Sequence, residues 1–231
     1  MKRLITLFSI CALIQSCGGN ENDNSNRDTE DEANNGSNEV EEVDIPIDIT
    51  LSTLNGIPHE CELKGLVVDA YTWNDKNGIN YFIRTIDDLH ETVDVDWTYT
   101  TQYLWAFHYV ENNKGEIRLL REITDFVKDC EFDLILGHEL DAISLTDIDN
   151  DEIGEITFIY RMACTSDVSP STQKLIMLED GNKYALRGTT KVMGEGGDYE
   201  AGEEFNSAPE GFLKHADELW NEHIVEYDFD L

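Results

Sequence analysis

The residues whose spacing most clearly suggests chemistry are carboxylates in one short loop between two apolar segments. Positions 1, 3, 5 and 9 of this loop are Asp147, Asp149, Asp151 and Glu155, and position 7 is Ile153, whose backbone carbonyl is a further oxygen ligand. Oxygen atoms that alternate along a tight turn point toward one centre, which is the arrangement that a hard cation such as Ca²⁺ requires. The spacing therefore predicts a calcium site formed by these five residues.

The loop is not an EF-hand, and a second interpretation of it stays open. Glu152 stands at position 6, where an EF-hand requires glycine, and Phe158 stands at position 12 in place of a bidentate glutamate. Acidic residues make up 49 of the 231 residues. Four acids at four set positions should therefore arise by chance about 0.4 times in such a chain. A solvated acidic hairpin without a cation is the alternative.

The elements that must position this loop are predicted to be β-strands. From Ile45 onward the apolar residues mostly alternate with a period of two, and turn signals separate the runs. A helical pattern with Phe212, Ala216 and Leu219 on one face follows near the C-terminus. We expect a mainly β (α+β) fold, an antiparallel sheet or sandwich of hairpins with one C-terminal helix, formed by a single domain over residues 45–231.

Aromatic residues occupy the odd positions of one predicted strand, and they share one of its faces. They are Trp97, Tyr99, Tyr103, Trp105, Phe107 and Tyr109. Large aromatic side chains dominate protein cores, which favours an inward-facing row. The alternative is a platform on which sugar rings stack. Trp97 and Tyr99 lie nearest the polar end of the strand, so they are the members that we expect to be exposed and to contact a glycan.

The N-terminus predicts an export signal. Lys2 and Arg3 precede an apolar run that ends at Ile14, and Cys17 follows it. The run is too short to span a bilayer as a mature helix, so residues 1–16 are interpreted as a cleaved signal peptide. The segment around Cys17 resembles the bacterial lipoprotein signal, in which the cysteine becomes the lipidated first residue. This resemblance implies an outer membrane lipoprotein, either surface-exposed or facing the periplasm.

Charge limits the partners that the chain can bind. Residues 17–44 contain almost no apolar residue, and Arg27 is their one basic residue. Such a composition predicts a disordered acidic tether behind the lipid. The net charge of the whole chain is −33, which leaves little basic surface for phosphates, so nucleic acid is excluded as an expected partner. Membrane association is expected to come from the lipid anchor.

Three cysteines remain after the signal peptide and the lipidated Cys17 are set aside: Cys61, Cys130 and Cys164. An exported compartment permits disulfide bonds. We predict a Cys130–Cys164 pair, because each cysteine lies at the edge of a strand that flanks the carboxylate loop. Three buried, reduced thiols are the alternative.

Several segments carry a family resemblance. The segment LTDIDNDEIGEITFIY resembles the Asp-rich, calcium-binding loops of FG-GAP/VCBS-type repeats. More widely, DFVKDCEFD, KLIMLEDGNKYALRG and APEGFLKHADELW resemble a family of Bacteroidetes lipoproteins described as surface polysaccharide biosynthesis proteins. The resemblance covers roughly residues 60–225 and implies a role near the cell-surface glycan. It supplies no catalytic residue.

The chain contains no nucleophile elbow, Walker loop or His-Glu-x-x-His zinc motif. We therefore expect a non-enzymatic binding or assembly module. The family resemblance implies that it is associated with surface polysaccharide and has surface glycan or envelope proteins as partners, and the carboxylate loop implies that calcium stabilises it. A hydrolase acting on cell-envelope glycan is the alternative, because the separation of a carboxylate pair depends on the fold.

Overall fold

The computed structural model describes residues 46–227. The predicted signal peptide, the tether and Cys17 lie outside the described residues. The expectation of a mainly β chain with antiparallel sheets and one C-terminal helix is confirmed.

The described elements have the following bounds. The strands are β1 (Asp48–Thr53), β2 (Leu66–Asp75), β3 (Gly78–Ile86), β4 (His90–Asp94), β5 (Trp97–Glu111), β6 (Ile117–Cys130), β7 (Asp133–Thr146), β8 (Glu155–Thr165), β9 (Thr172–Glu179), β10 (Asn182–Thr189), β11 (Lys191–Val192), β12 (Glu195–Gly196), β13 (Tyr199–Ala201) and β14 (Val225–Tyr227). A 3₁₀ turn spans Glu203–Asn206, and the helix α1 spans Phe212–Glu222. None of the helical segments within residues 46–227 has the length and apolarity needed to cross a membrane.

The strands form two large antiparallel sheets and one small sheet. Sheet A has the order β1-β2-β3-β5, with β4 pairing to the first part of β5 and β6 pairing along its other side. Sheet B has the order β13-β10-β9-β8-β7, and β12-β11-β14 form the small sheet. The β9–β10 hairpin turns at Asp180 and Gly181, whose φ angles of 41° and 78° match the tight turn that an Asp-Gly pair favours.

The two large sheets pack face to face around the main hydrophobic core. Leu104 and Phe82 from sheet A meet Phe158 and Ile176 from sheet B, and the rings of Phe82 and Phe158 lie 5.0 Å apart. The outer face of sheet B is covered by α1 through Phe212, which is fully buried. Both faces of sheet B are therefore apolar, and its strands contain nearly continuous hydrophobic runs.

The aromatic face of β5 is buried, but it does not face the core between the sheets. Trp105, Phe107 and Tyr109 pack on the outer face of sheet A beneath a covering segment that contains Leu54 and Cys61. The hydroxyl of Tyr109 donates a hydrogen bond of 2.7 Å to the carbonyl of Glu62 in that segment. The even residues of β5 supply the core instead, and His108 among them is also buried.

A buried polar contact joins the two sheets. Arg84 of β3 has no exposed side-chain surface, and it forms a two-pronged ion pair with Asp69. Its Nη1 also donates to the carbonyl of Glu139, which lies where the β7–β8 register shifts. The ion pair joins β2 to β3 within sheet A, and removal of one partner of a buried pair typically costs about 3–5 kcal/mol. The hydrogen bond to Glu139 then links this anchored side chain to β7 of sheet B.

Candidate cation site

The carboxylate loop connects β7 to β8 at one end of sheet B. Carboxylate oxygens of Asp147, Asp149 and Asp151 all lie within 4.8 Å of one another. Asp149 is exposed, and Asp147 and Asp151 are half-buried. The structure therefore brings together the three aspartates that the sequence analysis singled out.

Side-chain to backbone hydrogen bonds give the loop its tight curvature. The N–H of Asp151 donates to Asp147 Oδ1 over 3.1 Å, and the N–H of Ile153 donates to Asp151 Oδ1 over 2.8 Å. Asn150 and Glu152 take left-handed backbone conformations, with φ of 60° and 70°. Glu152 thus adopts a left-handed conformation at the loop position where an EF-hand has glycine, at the cost of some backbone strain.

A second cluster adjoins the first and includes a residue that sequence reasoning missed. Carboxylate oxygens of Asp149, Glu155 and Glu179 lie within 4.8 Å of one another, so Asp149 is common to both clusters. Glu179 ends β9. The β8–β9 register pairs Ile156 with Leu178, and its continuation by one residue places Glu179 opposite Glu155.

Glu155 is held in place by hydrogen bonds to the loop. It has no exposed surface, and its Oε2 accepts hydrogen bonds of 2.8 Å from the Thr146 hydroxyl and 3.0 Å from the N–H of Ile148. These contacts satisfy part of its bonding capacity and fix the start of the loop. Its negative charge, however, is not balanced by any ion pair within residues 46–227.

Glu179 is the least satisfied member of the site. It is 8% exposed, and its Oε1 is buried without a hydrogen-bond partner among the described residues. A buried, unpartnered carboxylate oxygen costs free energy unless a proton or a cation reaches it.

The pKa values of the two glutamates follow from this environment. Burial raises the pKa of Glu155 to about 7, against the lowering effect of its hydrogen bonds to Thr146 and Ile148. Burial raises the pKa of Glu179 to about 7 as well; the negative charges of Asp149 and Asp151 add to that effect, and the nearby Tyr184 hydroxyl acts in the opposite direction. Both carboxyl groups therefore take up a proton near neutral pH unless a cation balances their charge.

Asp75 of sheet A supports the loop from the other side. Its Oδ2 accepts hydrogen bonds from Trp73 Nε1 over 3.0 Å and from the N–H of Gly154 over 3.2 Å. A Cβ atom at Gly154 would lie 2.8 Å from Trp73 Nε1, so only glycine allows this approach. The β2–β3 turn and the carboxylate loop are consequently locked together.

The donor set fits a hard divalent cation. Both clusters consist of aspartate and glutamate alone, and such oxygen ligands suit Ca²⁺, Mg²⁺ or Mn²⁺ rather than Zn²⁺. An ion at the first cluster would be held by Asp147, Asp149 and Asp151. An ion at the second cluster would be held by Asp149, Glu155 and Glu179, and Glu179 would supply the buried oxygen that lacks a partner.

The other predicted site residues lie away from this loop. Trp97 is 57% exposed and Tyr99 is half-buried, at the open end of β5. Cys130 and Cys164 form a disulfide bond with a Cα–Cα distance of 5.6 Å, and it links β6 of sheet A to β8 of sheet B. Cys61 is a buried free thiol, and burial raises its pKa to about 11.

Comparison of the chain with protein-family models, with curated proteins and with solved structures returned no significant match.

Proposed function

We propose that the protein is a calcium-stabilised, non-enzymatic binding module that is attached to the outer membrane through lipidated Cys17 and associates with surface polysaccharide. The observation that carries the calcium part is a pair of adjoining carboxylate clusters that share Asp149. Asp147, Asp149 and Asp151 form one in the loop, and Asp149, Glu155 and Glu179 form the other beside it. The unpartnered oxygen of Glu179 makes a structural cation more favourable than a solvated acidic turn.

Calcium is favoured over magnesium by the number of carboxylates. Ca²⁺ accepts six to eight oxygen ligands in flexible geometry, whereas Mg²⁺ keeps several waters and is usually bound by one or two carboxylates. Each cluster offers three carboxylates, and together they draw on the loop, the start of β8 and the end of β9. An exported protein also meets calcium concentrations that suit a site of moderate affinity.

A structural role for the carboxylates is favoured over catalysis. A pair of glutamates with raised pKa values resembles an acid–base pair. Glu155, however, has no exposed surface, so a glycan cannot reach it. A cation that enters beside the exposed Asp149 meets no such barrier.

The glycan part of the proposal is supported by the open end of the aromatic row. Trp97 and Phe126 are 57% and 42% exposed, and half-buried Tyr103 packs against Phe126 with ring centroids 5.6 Å apart. Tyr103 also stacks on buried Trp105 at an interplanar angle of 10°. Lys128 Nζ lies 5.3 Å from the ring centroid of Tyr103 and 4.4 Å from that of Phe126. Trp97 is therefore the ring on which we expect a sugar face to pack.

Thermal melting of the full chain, in chelator and in calcium, tests the proposed cation. At a calcium concentration about 100 times Kd, the expected stabilisation is about 2.7 kcal/mol. For a chain of this size that corresponds to a rise of about 5–10 °C in Tm. A double variant, Asp147→Ala with Asp149→Ala, should lose this response.

The matched control is Glu91→Gln with Asp94→Asn, which removes two exposed carboxylates from β4 and should keep the response to calcium. The calcium proposal fails if the parent and the Asp147/Asp149 variant melt alike in both buffers. Glycan-array binding of the parent and of Trp97→Ala tests the glycan part separately, and equal binding by the two proteins would remove Trp97 from it.

A further inference from the structure

A polar groove lies where edge strand β6 of sheet A approaches β9 and β10 of sheet B. It consists of two adjoining cavities of about 450 and 370 Å³, which share Lys183 and Arg187 in their walls. Arg121 lines the first cavity, and Lys174 lines the second. Either volume lies in the range of small-ligand sites.

The concentration of cations in this groove is unusual for the chain. The whole sequence has 16 lysine and arginine residues against 49 acids, yet four of those cations line the two cavities. In so acidic a protein, a groove lined by four cations is a place where an anionic group is attracted rather than repelled.

Two of the four cations are already engaged by the protein. Arg121 donates from Nε to the carbonyl of Gly181 over 2.8 Å, which ties β6 to the β9–β10 turn. Lys174 forms an ion pair with Asp125 of β6, and the Tyr160 hydroxyl donates to the same carboxylate over 2.8 Å. These contacts hold the two walls of the groove together.

The other two cations have no such role. Lys183 and Arg187 make no side-chain hydrogen bond or ion pair with any residue in 46–227. They lie on the same face of β10, since they are four residues apart in one strand. Arg187 also sits directly across from Lys174 in the β9–β10 register.

The remaining lining indicates which kind of anion fits. Carboxylates of Glu122, Asp125 and Glu204 also face the cavities, together with the polar side chains of Asn182 and Ser207. Four cations and three carboxylates leave a small positive excess, which suits a singly charged ligand better than a phosphate dianion. The carboxylates can accept hydrogen bonds from hydroxyl groups, and the amide of Asn182 can both accept from them and donate to them.

We propose that this groove binds a carboxylate-bearing sugar, with Lys183 and Arg187 contacting the carboxylate and Asn182, Ser207 and Glu204 contacting ring hydroxyls. The choice of a sugar over another hydroxylated acid rests on the proposed association with surface polysaccharide. Arg187 can grip a carboxylate with two parallel N–H donors, whereas Lys183 supplies a point charge.

Titration calorimetry of the full chain tests the groove with three probes at fixed calcium: a glucuronic acid oligomer, the same oligomer as its methyl ester, and inorganic phosphate. The acidic oligomer should bind, and its ester should bind at least about tenfold more weakly. A double variant, Lys183→Gln with Arg187→Gln, should weaken binding of the acidic oligomer by about 10- to 100-fold, since each lost charge-assisted contact is worth about a factor of 10.

The control variant is Lys114→Gln with Lys214→Gln, which removes the same charge from exposed sites and should bind like the parent. Equal binding of acid and ester, with no effect of the groove variant, overturns the groove proposal and leaves the proposed glycan association standing. The proposal is also overturned if the protein binds phosphate but not the acidic oligomer, or if it binds neither probe. The melting response to calcium is an independent readout, so failure here is distinguishable from failure of the cation site.

Discussion

Glu155 and Glu179 face each other across β8 and β9 as two buried carboxylates, and a carboxylate oxygen of each lies within 4.8 Å of the other and of an Asp149 oxygen. Like charges directly opposite in a sheet destabilise it, and burial increases the cost. Sheet B nevertheless places both residues at the end of its central strands. The pair therefore stores unfavourable electrostatic energy that a divalent cation, bridging toward Asp149, would remove.

Replacement of one of these carboxylates should have opposite effects with and without calcium. In chelator, Glu179→Gln should raise the free energy of unfolding by about 1–2 kcal/mol at pH 8, because it removes a buried like charge. Addition of calcium should raise the free energy of unfolding of this variant by less than that of the parent, because the variant has lost a ligand. Denaturant unfolding in the two buffers measures both effects. A variant that is destabilised in both would show that Glu179 is only a packing residue.

Substitution at Glu152 tests the strain in the loop. Its φ of 70° is unfavourable for a residue with a Cβ atom, so Glu152→Gly should raise the stability by about 1 kcal/mol and Glu152→Val should lower it. Glu131 is exposed and is not among the residues with positive φ. Glu131→Gly is therefore the control, and it should not stabilise the protein. A loss of stability in Glu152→Gly would contradict the strain that we infer.

Loss of the disulfide should destabilise the sandwich. Cys130 and Cys164 are separated by 34 residues, and a cross-link of this length restricts the unfolded chain by about 3–4 kcal/mol. The double variant Cys130→Ser with Cys164→Ser should therefore unfold at lower denaturant concentration. A reducing agent should lower the stability of the parent to the same extent and leave the variant unchanged. Equal stability of oxidised and reduced parent would contradict this prediction.

His138 should make the protein sensitive to acid. Its Nε2 lies 3.2 and 3.1 Å from the carbonyls of Thr85 and Trp105, so it is the donor to both. Burial, reinforced by the charge of Arg84, lowers its pKa to about 4, with Asp69 acting in the opposite direction. Below pH 6.5 the unfolded chain therefore takes up a proton that the folded protein does not, and stability falls as the pH falls from 6.5 toward 4.

A glutamine at this position keeps an N–H donor but does not titrate. His138→Gln should therefore reduce the slope of stability against pH by up to about 1.4 kcal/mol per pH unit in this range. His59→Gln is the control, since the His59 side chain is 93% exposed, and it should keep the slope of the parent. Urea unfolding between pH 4 and 8 measures the slopes. Identical slopes in all three proteins would exclude His138 as the responsible group.

The fold class was predictable because alternation and turn chemistry act locally. The Asp180–Gly181 turn, the alternation in β5 and the helical face of Phe212 each depend on a few neighbouring residues. The sequence of strand β6 fits no clean period of two, because its pairing with β5 shifts register twice, once between His108 and Tyr109. An extra residue at such a shift moves the following side chains to the opposite face and breaks the period of two.

Tertiary pairing decides what the sequence could not show. The aromatic row of β5 has the pattern of a core face, yet its cover is the segment around Cys61 rather than the second sheet. Glu179 has no local motif, and it joins the site only because β9 pairs with β8. One signal in the sequence could have found it. Glu179 ends the apolar run KLIMLE, and the preceding predicted strand begins with Glu155, so a hairpin of the two strands brings the carboxylates together.

Calorimetric titration of calcium into the chelator-treated full chain tests the central claim most directly. The parent should release or take up heat that saturates at one or more ions per chain, and Glu179→Gln should weaken the affinity by about tenfold or more, as expected for the loss of one charged ligand. The absence of saturable calcium binding to the parent, under conditions where it is folded, would contradict the account.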